Sequence, residues 1–110
     1  MANVDYSPEA IIYLKELTTL LYEKGYFSFA ETAKEYVDKL TYYIENDIST
    51  TSKRIAPRHF SKFGKNMHYF TYRPNKRTTW YIFFNSRDDR YIIRYITNNH
   101  VSAQHIRGLK

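Results

Sequence analysis

The 110-residue chain contains no cysteine and only three glycines and three prolines. Without cysteine it has neither a disulfide framework nor a thiolate metal site, which favours a reducing compartment. Aromatic residues make up 18% of the chain and charged residues 25%, so a disordered chain is excluded. No apolar run approaches the roughly 20 residues of a membrane span, and the N-terminus has no basic segment followed by an apolar one. We therefore expect one soluble, cytoplasmic domain with no membrane partner.

Acidic side chains are almost missing from the second half of the chain. Residues 1–50 hold four basic and nine acidic residues, a net charge of −5. Residues 51–110 hold thirteen basic residues and only Asp88 and Asp89, a net charge of +11. Aromatic residues are interleaved with these cations, as surfaces that stack nucleobases require. The asymmetry predicts a surface for a polyanion, with nucleic acid as the first candidate; the alternative is a solvated basic surface without a partner.

A first amphipathic helix is predicted over residues 7–24. Ser7 is a candidate N-cap, and Pro8 suits the first turn because its missing N–H would be unpaired there anyway. Glu9 faces the positive end of the helix dipole. Gly25 is expected to end the helix in a left-handed conformation.

A second amphipathic helix is predicted over residues 28–47. Ser28 and Glu31 have the spacing of a capping box, in which each side chain accepts from a free N–H of the other residue. Because only residues 25–27 separate the two helices, they should form an antiparallel hairpin.

The basic half is predicted to form the sheet. Turn-forming residues at 74–76 and 85–88 connect three strand-like runs into an antiparallel meander, and residues 3–6 could add a short edge strand. The runs are Met67 to Arg73, Thr78 to Phe84, and Arg90 to Thr97. The predicted fold is therefore α+β, with an N-terminal helical hairpin packed on one face of a small antiparallel β-sheet and the basic face left open.

This order of elements resembles the RelE/ParE superfamily, the toxins of type II toxin–antitoxin (plasmid stabilisation) systems. The resemblance lies in a short strand, a Ser-Pro-x-Ala helix start, a helical hairpin, a basic loop and a three-stranded meander, and it covers nearly the whole chain. The segments Thr79 to Phe84 and Tyr91 to His100 are similar to one branch in particular. The resemblance implies that residues 1–110 form a single RelE/ParE-like toxin domain, which a cognate antitoxin neutralises.

The resemblance also implies an activity. Members are mainly ribosome-dependent mRNA endonucleases, which use a metal-free attack of the 2′-OH on the adjacent phosphate, or inhibitors of DNA gyrase. We expect an endoribonuclease that acts on mRNA on the ribosome without a cofactor. The alternatives are a non-enzymatic ParE-like gyrase inhibitor and a degenerate nucleic-acid-binding autorepressor subunit. Trp80-Tyr81 stands where family nucleases often carry Tyr-Arg, which favours the gyrase alternative, and Asn98-Asn99-His100 replaces a usual Gly-His-Arg.

Metal-free RNA cleavage needs a base, an acid and cations that neutralise the charge on phosphorus. The candidate acid or base is His100, whose side chain ordinarily titrates close to neutral pH, and the candidate phosphate clamps are Arg94 and Arg73. The expected nucleic-acid contacts are Lys53, Arg54, Arg58, Lys62, Lys76, Arg77, Tyr81 and Tyr95. The histidines lack metal-ligand spacing, so no metal site is expected. The structural alternatives are a turn-capping His100, ordinary exposed strand arginines and a core position for Trp80.

Overall fold

The computed structural model of the protein describes residues 3–25 and 27–99. In chain order its elements are β1 (Asn3–Tyr6), α1 (Pro8–Glu23), α2 (Ala30–Asp47), β2 (Arg54–Ile55), a 3₁₀ helix (Arg58–Phe63), β3 (His68–Tyr72), β4 (Trp80–Arg87) and β5 (Arg90–Asn98). The α+β class, both helices and the three long strands are confirmed, whereas β2 and the 3₁₀ helix lie where we expected only a loop. Neither α1 nor α2 has the length and apolar composition that spanning a bilayer requires.

The five strands form one mixed sheet in the order β1-β5-β4-β3-β2. The predicted antiparallel meander is present in β3, β4 and β5. However, β1 pairs parallel with β5, so the prediction of a purely antiparallel sheet is wrong at this edge. Parallel neighbours need a long crossover between them, and the chain from α1 to β4 supplies it.

Ser7 joins the start of α1 to the middle of β5. The backbone N–H of Ala10 donates to Ser7 Oγ at 3.1 Å, which confirms Ser7 as the N-cap. The backbone N–H of Ser7 donates to the Ile93 carbonyl at 2.9 Å, and its hydroxyl donates to the Arg94 carbonyl at 3.4 Å. The first turn of α1 is therefore held against β5. At the other end, Gly25 has a φ of 77°, the left-handed conformation that was predicted there.

The predicted capping box of α2 is wrong. The N-cap is Phe29, in an extended conformation and without a side-chain capping bond, so the helix begins at Ala30. Ser28 therefore lies one residue too early to pair with Glu31. The position of α2 is set instead by its buried face, which consists of Ala33, Val37, Leu40 and Ile44.

The helices pack on one face of the sheet and form a helix-side core with it. The buried members of this core are Ala10, Leu17, Val37, Leu40, Ile44, Ile48, Phe70, Trp80, Ile82, Phe84, Tyr91, Ile93 and Ile96. Trp80 is 2% exposed, and its indole N–H donates to the Tyr36 hydroxyl at 2.9 Å. The core position considered for Trp80 is thus confirmed.

We had expected the other face of the sheet to be open. It is partly covered, because the 3₁₀ helix packs on it. Phe60 stacks on Phe83 with ring centroids 4.4 Å apart, and Phe63 stacks on Tyr95 at 3.8 Å. The two phenylalanines are three residues apart, a spacing that places side chains on the same side of a 3₁₀ helix. A second-face cluster results, made of Phe60, Met67, Tyr69, Tyr81 and Phe83 with Ala56, Phe63 and Tyr95 against them.

A β-bulge interrupts β5. Phe83 pairs with Tyr95, but the next residue, Phe84, pairs with Ile93, so Arg94 is an extra residue without a partner on β4. Such a bulge changes which face the following side chains occupy. As a result Ile93 belongs to the helix-side core and Tyr95 to the second face.

Candidate nucleic-acid interface

A cleft of about 390 Å³ lies where α1, the 3₁₀ helix and the bulge of β5 meet. It brings together three residues predicted for the site: Lys62, Arg94 and Tyr95. We call it the cation cleft, and its described lining consists of Glu9, Ala10, Tyr13, Lys62, Phe63, Arg94, Tyr95 and Ile96. Its volume is within the range of pockets that bind small ligands.

Two sets of contacts hold the walls of the cation cleft in place. Ser7 fixes the first turn of α1, and with it Glu9, against the backbone of β5. The stack of Phe63 on Tyr95 holds the 3₁₀ helix, with its two rings almost parallel at 6°. The ammonium of Lys62 lies 5.3 Å from the centroid of the Phe63 ring. The cleft is thus assembled from residues far apart in sequence.

The cations of the cleft are not neutralised within the described part of the chain. The ion pair found there joins Lys34 to Asp38 on the exposed side of α2, at 3.1 Å. Neither Lys62 nor Arg94 forms an ion pair with a described carboxylate, although Glu9 lines the same cleft. No group of three or more His, Asp or Glu side chains among residues 3–25 and 27–99 is arranged to hold a metal ion. As far as residues 3–25 and 27–99 are concerned, these cations can bind an anionic ligand.

Two other predicted site residues lie together on the second face, outside the described lining of the cation cleft. Tyr81 is only 3% exposed, and burial raises the pKa of its hydroxyl, while the Arg73 guanidinium acts in the opposite direction. Arg73 itself is exposed. Tyr81 therefore packs within the second-face cluster, whereas Arg73 beside it is accessible to solvent.

Three more residues of the predicted site, Lys53, Arg54 and Arg58, precede β3. Arg54 of β2 is exposed and pairs with Tyr69, and burial raises the pKa of the Tyr69 hydroxyl while Arg54 opposes that shift. Arg58, the first residue of the 3₁₀ helix, is exposed. Lys53 is half-buried, and its ammonium donates to the Thr51 carbonyl at 2.9 Å. Arg54 and Arg58 thus remain able to contact phosphates, while Lys53 also supports the loop.

Lys76 and Arg77 are exposed in the connection between β3 and β4. This turn is held from both sides. The Asn75 side-chain oxygen accepts from the backbone N–H of Arg77 at 2.9 Å, and the Asn99 side-chain amide donates to the Arg77 carbonyl at 3.0 Å. The predicted acid or base His100 follows Asn99 and lies outside the described residues.

The sequence did not reveal two parts of this site. Glu9 was assigned only to the helix dipole, because no sequence pattern places the start of α1 beside β5. The segment around Phe63 was treated as a basic loop, although the three-residue spacing of Phe60 and Phe63 was a usable signal for a short helix.

A second cavity, of about 360 Å³, lies between the end of α1, the first half of α2 and the end of the sheet where β4 begins and β5 ends. Apolar side chains, including Leu17, Leu21, Phe27 and Trp80, form much of its described lining. None of the predicted site residues is part of that lining, so this cavity is separate from the proposed interface.

Alkaline pH should destabilise the protein. Burial, with smaller contributions from Tyr95 and Tyr36, raises the pKa of Tyr13 to about 12. Burial and the hydrogen bond from its hydroxyl to the Glu45 carboxylate, 2.8 Å long, raise the pKa of Tyr6. Tyrosine side chains in the unfolded state release their protons at about pH 10. Above that pH the unfolded state binds fewer protons than the folded state, so the free energy of unfolding falls until the folded groups also ionise.

This expectation can be checked by urea unfolding at pH 8, 9.5, 10.5 and 11.5. The urea midpoint should be steady up to about pH 9.5 and then fall. The urea midpoint of the Tyr13→Phe chain should fall less steeply, because one tyrosine with a raised pKa is missing. A midpoint that stays constant to pH 11.5 would contradict the prediction.

Comparison of the chain with protein-family models, with curated proteins and with solved structures gives no significant match. The cation cleft and the charge around it are therefore the basis for assigning a function.

Proposed function

We propose that the protein is a RelE/ParE-like toxin of a type II toxin–antitoxin pair and acts as a ribosome-dependent mRNA endonuclease. The observation that carries the proposal is the cation cleft, in which Arg94 and Lys62 share one pocket with the Glu9 carboxylate. Cations and a proton-accepting group are two of the three components that metal-free cleavage of a phosphodiester requires, and water can act as the third, the proton donor. Further support comes from the element order, a short strand and two helices before the strands β3, β4 and β5.

Arg94 and Lys62 are suited to different parts of the phosphate. The guanidinium of Arg94 presents a planar fork that can bind two non-bridging oxygens at once. The ammonium of Lys62 is a compact charge that can follow a single oxygen. Together they would stabilise the extra negative charge on phosphorus during attack by the 2′-OH.

The exposed cations outside the cleft would hold the RNA on either side of the reacting phosphate. Arg54 and Arg58 precede β3, Arg73 follows it, and Lys76 and Arg77 occupy the turn before β4. Such contacts provide affinity that weakens as salt rises, without choosing a sequence. We also propose that the cognate antitoxin covers this basic half with an acidic or amphipathic segment, because opposite charge steers and strengthens association.

Expression of the chain without its antitoxin tests the proposed function. We expect growth arrest together with new mRNA 5′ ends inside translated regions, because the substrate is mRNA on the ribosome. Purified protein should cut an mRNA when ribosomes translate it and leave the same RNA intact when it is alone. The Lys34→Ala chain is a suitable control, since Lys34 pairs with Asp38 on the exposed side of α2 and should not affect cleavage.

The same experiment tests the gyrase alternative. The observation that favours this alternative is Tyr81, which occupies the middle-strand position where the resembling nucleases often carry arginine, and which is buried. Growth arrest with DNA breaks and no new 5′ ends would support inhibition of DNA gyrase and contradict the nuclease proposal. Binding to nucleic acid with neither effect would support a nucleic-acid-binding autorepressor subunit.

A further inference from the structure

Glu9 is the carboxylate in the described lining of the cation cleft. Its position is fixed by the residue two places before it, since Ser7 bonds through its N–H to the Ile93 carbonyl and through its hydroxyl to the Arg94 carbonyl. Glu9 therefore stands beside the segment of β5 that carries Arg94 because Ser7 bonds to the β5 main chain. The arrangement does not depend on attraction between the two charged side chains.

The charged residues of the cleft line one pocket but do not form ion pairs with one another. Glu9, Lys62 and Arg94 all line a pocket of about 390 Å³, yet no ion pair joins Glu9 to either cation. Paired side chains would have to separate before a substrate could bind between them. Here a phosphate can approach the cations while its neighbouring ribose hydroxyl approaches the carboxylate.

We propose that Glu9 is the general base of the cleavage reaction, an inference that rests on the proposed endonuclease function. The Glu9 carboxylate takes the proton of the 2′-OH, and the 2′-oxygen forms a bond to the adjacent phosphorus. The bond from phosphorus to the 5′-oxygen breaks, and that oxygen takes a proton from water. The hydroxide so formed recovers the proton from Glu9. The products are a 2′,3′-cyclic phosphate and a 5′-hydroxyl, and Arg94 and Lys62 bind the non-bridging oxygens throughout.

Glu9 also has a structural explanation, because it lies in the first turn of α1, where a negative charge is favourable. The two roles differ in what they affect. A partner of the helix dipole contributes to folding stability and leaves the rate of cleavage unchanged. A general base contributes to the rate, through an acid limb in the pH profile, and leaves RNA affinity nearly unchanged.

The Glu9→Gln chain keeps the size of the side chain and removes its ability to accept the proton. The single-turnover rate on ribosome-bound mRNA should fall by about 10²- to 10⁴-fold, the usual contribution of a general base. The affinity for a non-cleavable RNA with a 2′-deoxy nucleotide at the cut site should stay within about threefold of wild type. The pH profile of the remaining activity should lose its acid limb. Glu16→Gln, an exposed change on the same helix outside the described cleft lining, should cleave like wild type.

The outcomes separate this inference from the proposed function. If the unaltered chain cleaves mRNA and Glu9→Gln does so at a similar rate, Glu9 is not the base while the nuclease function stands. A Glu9→Gln chain that cuts at the usual rate but at different nucleotides would also overturn the inference, since Glu9 would then read a base. Products with a 5′-phosphate would exclude the step written above. No cleavage by the unaltered chain would overturn both proposals.

Discussion

Replacing Arg94 with alanine should lower the single-turnover rate of mRNA cleavage by about 10²- to 10³-fold, the cost of losing one charge-stabilising group in a transition state. Arg94 is half-buried at the bulge of β5 and forms no ion pair with a described carboxylate. Its main-chain carbonyl, which accepts from Ser7, is unchanged by the substitution. The loss should therefore appear in the rate while the fold is retained.

Two further variants show what Arg94 contributes. Arg94→Lys keeps the charge but loses the two-pronged donor, so we expect an intermediate rate. Arg87→Ala removes an exposed arginine at the end of β4 and should cleave like wild type apart from a small loss of affinity. The rates should be measured with enzyme in excess over ribosome-bound mRNA, with circular dichroism as a check of folding. Full activity of Arg94→Ala would show that the cation cleft is not where the phosphate reacts.

Replacing Phe60 with alanine should destabilise the protein by about 3–5 kcal/mol, the range for removing a buried aromatic side chain. Phe60 is 1% exposed, and its ring stacks on Phe83 at 4.4 Å. It is the buried residue of the 3₁₀ helix, which also carries Lys62. The substitution should therefore weaken cleavage as well as folding, because the helix would no longer hold Lys62 in the cleft.

Chemical unfolding provides the measurement for Phe60→Ala, and Phe29→Ala is its control. Phe29 is 68% exposed, so the same chemical change there should alter stability by no more than about 0.5 kcal/mol. A loss below about 1 kcal/mol for Phe60→Ala would mean that the 3₁₀ helix is not packed on the sheet in solution.

The sequence was sufficient to predict a structural feature where that feature depends only on neighbouring residues. Ser7 and Gly25 mark the ends of α1 because capping and a left-handed turn depend on neighbouring residues alone. The long strands followed from runs of β-branched and aromatic residues. The predicted end of β4 was wrong: the turn was expected over residues 85–88, but β4 continues to Arg87, and the turn is formed by Asp88, with a φ of 55°, and Asp89. For the candidate site, the sequence predicted which residues contribute but not how they are arranged. Three of them, Lys62, Arg94 and Tyr95, line one cleft.

The sequence alone thus determined the helices, the long strands and the one-sided charge. Only the tertiary structure decided which side chains face which layer. Tyr81 and Ile82 are both suited to a buried strand, so their pattern is the same whichever face the helices cover; the structure places Ile82 in the helix-side core and Tyr81 in the second-face cluster. The contact between Ser7 and β5 joins residues 87 positions apart, and the bulge at Arg94 depends on how β4 pairs with β5. Such contacts form only once the sheet is assembled, and together with the stack of Phe63 on Tyr95 they bring Glu9, Lys62 and Arg94 into one cleft.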